Sequence, residues 1–148
     1  MALVIFFVPE PDKGVAEMVR VVGPGGAVAT YAWDMEGGGY PGEPIHAEMR
    51  AMGLKPLLPP SFGASRMEAL RDLWTGTGLD AIETREITVQ RTFADFDDFW
   101  AASLKSGTIR PIVSSIAAGD AERLKRRVHA RLPAAEAGLI TYAGRLTR

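Results

Sequence analysis

The chain has 148 residues, 47% hydrophobic and 24% charged, with 17 Lys and Arg against 18 Asp and Glu. That length and balance predict a single globular domain over 1–148 with a real core, and they exclude a disordered chain or a strongly basic nucleic-acid binder. The absence of cysteine excludes disulfides, thiolate nucleophiles and cysteine-ligated metals.

Ala2–Val8 is a continuous apolar run closed by Pro9 and Pro11. It predicts a strand buried on both faces, as in a parallel sheet. From Asp12, expected as an N-cap, the period changes. Val15, Met18, Val19 and Val22 form one helical stripe, with Gly23 and Pro24 as the stop. Ala27–Trp33 returns to strand formers and completes a right-handed βαβ unit. The glycine-rich stretch Met35–Gly42 predicts a flexible loop. Pro44 then opens a short helix with Ile45, Met49 and Met52 on one face and Gly53 at its end. Lys55–Gly63 is too proline-rich for regular structure.

Ser65 and Glu68 match a capping box for a helix reaching about Trp74. Leu79–Phe93 predicts a long strand, with Ile87, Val89, Arg91 and Phe93 on one face and a bulge between Thr84 and Ile87. Asp95 is the expected cap of a helix that buries Phe96, Phe99, Trp100 and Leu104. Pro111–Ala117 predicts a further short helix. Asp120 would cap the last helix, with the stripe Leu124, Val128 and Leu132. Pro133–Gly138 turns the chain, and Ile140–Leu146 alternates as a final strand. There is no internal repeat. No apolar run reaches the ~20 residues of a membrane span. The N-terminus lacks a basic region and a cleavage site, so no signal peptide is expected and the expected location is the cytoplasm.

The sequence Val8-Pro9-Glu10-Pro11, the helix end Glu17-Met18-Val19-Arg20-Val21-Val22, the turn Gly23-Pro24-Gly25-Gly26 and the strand end Trp33-Asp34 together resemble the second half of a class I S-adenosylmethionine-dependent methyltransferase. The resemblance implies an α/β fold with a partial Rossmann-like sheet. This chain would supply strands 4-5-7-6 of the family order, the last in sequence lying antiparallel between the second and third, with a helical insertion over about Ala94–Gly138. The family's first three strands, with their glycine-rich loop and acidic residue, would precede Met1. The resemblance further implies S-adenosylmethionine as cofactor and methyl transfer to a small-molecule acceptor. Leu3, Val4 and Phe7 would flank the cofactor's methionine part. Trp33 would face the acceptor, His46 would lie in a helix roofing it, and Asp34 would orient the acceptor or act as base. Activity is not expected of this chain alone. The alternative is a non-catalytic truncated relative that dimerises or complements a chain carrying the first half.

Each of these residues has a plainer reading. Phe6, Phe7 and Trp33 suit core packing, Asp34 suits a turn before the glycine-rich loop, and His46 suits an exposed helix face. Methyl transfer asks mainly for in-line positioning, so it leaves no obligatory base to find. Arg123, Lys125, Arg126, Arg127, His129 and Arg131 read as a solvated helix face rather than a phosphate-binding one. Two histidines far apart give no metal site. Gly23–Gly26 lacks the Lys-Ser/Thr of a phosphate loop. Met49, Met52, Met67, Phe96, Phe99 and Trp100 fit a core as well as an acceptor pocket. An apolar edge strand at Ala2–Val8 would be an aggregation hazard, so a second copy of the chain is expected to cover it across a two-fold axis.

Overall fold

The computed structural model describes residues 1–132 and 139–147. In order, they form a 3₁₀ turn at Ile5–Phe7, helix α1 (Pro11–Val22), strand β1 (Ala32–Trp33), helix α2 (Glu43–Ala51), a 3₁₀ turn at Phe62–Ser65, helix α3 (Met67–Gly76), strand β2 (Glu86–Phe93), helices α4 (Phe96–Ser103), α5 (Arg110–Ser115) and α6 (Ala118–Arg131), and strand β3 (Ile140–Thr147). The fold is mixed helix and strand, as expected. The sheet has the order β1-β3-β2. β3 runs antiparallel to β1, with Ala32 opposite Thr147 and Trp33 opposite Leu146. The turn expected at Pro133–Gly138, and with it the end of the expected insertion, lies outside the described residues. No described helix is long and apolar enough to cross a membrane.

The chain divides into two compact units, Met1–Tyr40 with Pro59–Val89 and Gly144–Arg148, and Pro41–Leu58 with Gln90–Ala143. In the first unit, Ile5, Phe6, Val15, Ala32, Met35, Leu70 and Trp74 form the core. α1 starts two residues earlier than expected, because Pro11 fits the first turn, where an N–H has no helical partner. Asp12 therefore sits inside the first turn rather than at the cap. Gly23 ends the helix with φ 75°.

The expected strand at Ala2–Val8 is corrected. Only Met1–Leu3 pairs in parallel with the segment before β1: Met1 N donates to Ala29 O at 2.6 Å, Tyr31 N to Met1 O at 3.2 Å and Leu3 N to Tyr31 O at 2.8 Å. Leu3 has φ 55°, which breaks the extended path. The following turn satisfies its own donors, Phe7 N to Val4 O and Val8 N to Ile5 O, while Ser61 N takes Phe6 O. That arrangement buries Ile5 and Phe6 without a second neighbouring strand.

Two more expectations in this unit fail for similar reasons. Ser65 does not cap α3, because its Oγ donates to Phe62 O and accepts from Met35 N. The expected strand from Leu79 begins only at Glu86, since the chain turns at Ala81, φ 49°, in place of a bulge.

The second unit follows its sequence pattern more closely. Its core is built from Ile45 and Met49 of α2, Phe93, Phe96, Phe99 and Trp100, Ile109, the stripe Leu124, Val128 and Leu132, and Ile140. Asp95 caps α4 by accepting from Asp98 N at 2.8 Å. α5 covers Arg110–Ser115 rather than Pro111–Ala117. Asp120 lies in the first turn of α6 rather than at its cap, where it still favours the helix dipole and pairs with Arg123.

Candidate functional site

Asp34 leaves the end of β1 and enters the glycine-rich loop. Its N–H donates to Arg145 O at 3.0 Å, so the antiparallel ladder with β3 reaches this far. One carboxylate oxygen accepts from Gly37 N at 2.8 Å, and the other accepts from Arg145 Nε at 3.1 Å and from its Nη2. Arg145 Nη2 also donates to Gly37 O at 2.7 Å. Gly39 completes the knot: its N–H donates to Asp34 O and its carbonyl accepts from Arg145 N. A Cβ on Gly39 would stand 2.6 Å from Arg145 O, so only glycine allows this approach. The loop expected to be flexible is thus tied to β3 at both edges. Asp34 beside it raises the Arg145 guanidinium above its ordinary range.

This geometry gives Asp34 a structural task. A carboxylate engaged at both oxygens by a guanidinium and a backbone N–H is a turn cap. Asp34→Ala is expected to lower stability by about 2 kcal/mol, because it orphans Gly37 N and one face of Arg145. Asp34→Asn keeps the cap, loses the ion pair and should cost about half as much. Urea denaturation of the two variants checks this. Equal loss in both would mean that the Gly37 cap contributes nothing.

Leu3, Val4, Phe7 and Trp33 belong to the same unit as Asp34. Leu3 is half-buried and, like Trp33, packs against the core of Ile5, Ala32 and Met35. Val4 and Phe7 are 45% and 54% exposed. The Phe7 ring lies 4.8 Å from that of Phe6. S-adenosylmethionine needs an acidic group for its ribose hydroxyls and backbone donors for its amino-acid end. Leu3, Val4 and Phe7 supply apolar surface, and the N–H groups of Leu3 and Phe7 are already given to carbonyls. These residues alone therefore do not fit the cofactor.

His46 lies in the second unit, on the inner face of α2 beside Ile45, and is 1% exposed. The expected exposed position is corrected, and so is its availability to a substrate: the helix turns it inward with the apolar residues. Burial, reinforced by the nearby Arg50 charge, pushes its pKa down to about 4, so the ring is neutral at pH 7.

Sequence reasoning missed a cluster in this unit. Glu48, on α2, accepts from Arg127 Nε at 2.7 Å and from Arg131 Nη1 at 3.0 Å. Its side chain is only 8% exposed. The spacing of Arg127 and Arg131, one helical turn apart on α6, was the available signal. A second cluster stacks His129 on Phe96, 4.2 Å between ring centres, next to the ion pair of Lys125 and Asp97. No group of three or more His, Asp or Glu suited to a metal occurs among the described residues.

Comparison of the sequence with family models and with curated proteins finds no match.

Proposed function

We propose that this chain is a methyltransferase-type half-sheet that does not transfer methyl groups by itself and acts as a dimerising subunit. The carrying observation is the state of the candidate site: Asp34 is held by Arg145 and Gly37, and the backbone around Leu3 and Phe7 is hydrogen-bonded within the chain. The family resemblance draws support from three features of the sheet. A parallel bridge joins Ala2 to Tyr31, α1 crosses between those residues, and the last strand in sequence runs antiparallel beside β1. For the partner, Val4 and Phe7 offer adjacent exposed apolar side chains where the pairing with Tyr31 stops. A second copy covers them by side-chain packing, since the 3₁₀ turn leaves no strand ladder to extend. The second reading, an S-adenosylmethionine-dependent enzyme acting on a small molecule, requires cofactor-binding strands that pack on the same two residues.

Titration calorimetry with S-adenosylmethionine, with sedimentation on the same sample, tests both halves of the proposal. No binding at millimolar ligand and a dimer that Phe7→Ser dissociates are expected. Micromolar binding would overturn the non-catalytic reading. A monomer at every concentration would overturn the dimer.

A further inference from the structure

The first unit contains a groove of about 430 Å³ lined by Gly26–Thr30, Leu79–Arg85 and Trp74. Its shape matters less than its backbone. On the β3 side of β1, Asp34 N bonds to Arg145 O and Ala32 stands opposite Thr147. In an antiparallel ladder, alternate residues turn their N–H and C=O to the same side. The even-numbered residues therefore face β3. The odd-numbered ones face the opposite edge, where Ala29 O, Tyr31 N and Tyr31 O bond to Met1 and Leu3. Burial carries the same period further back, with Val28 half-buried and Thr30 buried while Ala27, Ala29 and Tyr31 are exposed. Val28 and Thr30 thus turn their backbone groups toward the line that β3 follows. β3 is described as far as Thr147, opposite Ala32, and the groove opens beside the residues before it.

We propose that this groove binds an extended peptide of alternating apolar and basic residues, added antiparallel to Ala27–Thr30 in line with β3. Strand addition of this kind takes affinity from main-chain hydrogen bonds and specificity from alternate side chains. Residues opposite Val28 and Thr30 share the face on which Val28 packs against the cluster of Trp74, Leu79 and Ile82, which selects apolar side chains. Asp80 and Glu83, both exposed, line the groove against the single cation Arg85, which selects a basic peptide. The wall of five residues accommodates about 16 Å of strand, or about five peptide residues. This inference concerns a different surface from Val4 and Phe7 and does not depend on the methyltransferase reading.

The test uses a blocked pentapeptide, Lys-Val-Lys-Val-Lys, followed by amide exchange in nuclear magnetic resonance. Saturable binding is expected, with new protection at Val28 and Thr30 N–H and none at Ala29. N-methylation of both peptide valines removes donors without touching the protein and should weaken binding at least tenfold. The paired substitution Asp80→Asn with Glu83→Gln, both at exposed positions, should weaken it several-fold and flatten its salt dependence. Absence of binding at millimolar peptide, protection at odd-numbered residues, or equal binding of the N-methylated peptide would overturn the proposal. Protection of Val28 and Thr30 that rises with protein concentration before peptide is added would overturn the peptide in favour of a second copy.

Discussion

Glu48→Ala is expected to destabilise the chain by about 2 kcal/mol, the scale of losing hydrogen bonds to a charged group. The carboxylate is 8% exposed, whereas Arg127 and Arg131 are 47% and 55% exposed and can regain water. What they lose is the charge between them. Two guanidinium groups one helical turn apart repel once Glu48 is gone, and α2 loses its polar tie to α6. Arg127, first among the causes, holds the Glu48 carboxyl below its usual range. A depressed folded-state pKa means that the contribution is complete above the ordinary carboxylate value and is lost as pH falls below it. Glu48→Ala should therefore remove a component of acid destabilisation that operates below about pH 4.5. Urea denaturation at neutral and acid pH measures both effects. A loss under about 0.5 kcal/mol at pH 7 would place this cluster with ordinary surface pairs.

Each unit by itself shows what the sequence could and could not disclose. The stripe Leu124, Val128 and Leu132, the cap at Asp95 and the alternation through β3 are local periodic patterns, and the structure follows them. Ala2–Val8 has no period. A continuous apolar run fits a buried strand or a buried turn equally well, and the choice fell to Ser61, which takes Phe6 O from far along the chain. Ser65 was claimed in the same way by Met35 N, so a correct local signature for a cap was overridden by a tertiary hydrogen bond. Arg145 and Asp34 are 111 residues apart, and no local rule pairs them. The candidate site was legible as a place, the end of β1 and its loop. The engagement of its carboxylate was not, because the partner arrives from the last strand.

The stability of the protein is expected to fall by up to about 3 kcal/mol between pH 6.5 and about 4 on account of His46 alone. In the unfolded chain this imidazole takes a proton near its ordinary value. In the folded chain, burial keeps it neutral down to about pH 4, and the Arg50 charge adds to the effect. Between those values the unfolded state binds more protons, so stability rises with pH across the window and its loss is complete below it. The window lies mostly above that of Glu48, which separates the two groups in one titration. His46→Phe keeps a ring on the apolar face with Ile45 and Met49 and removes the titration. Urea midpoints measured at about pH 7, 5.5 and 4.5 should converge in this variant while they diverge in the parent chain. An unchanged slope in His46→Phe would mean that the histidine reaches water in the folded state, and it would return His46 to the exposed helix face expected from the sequence.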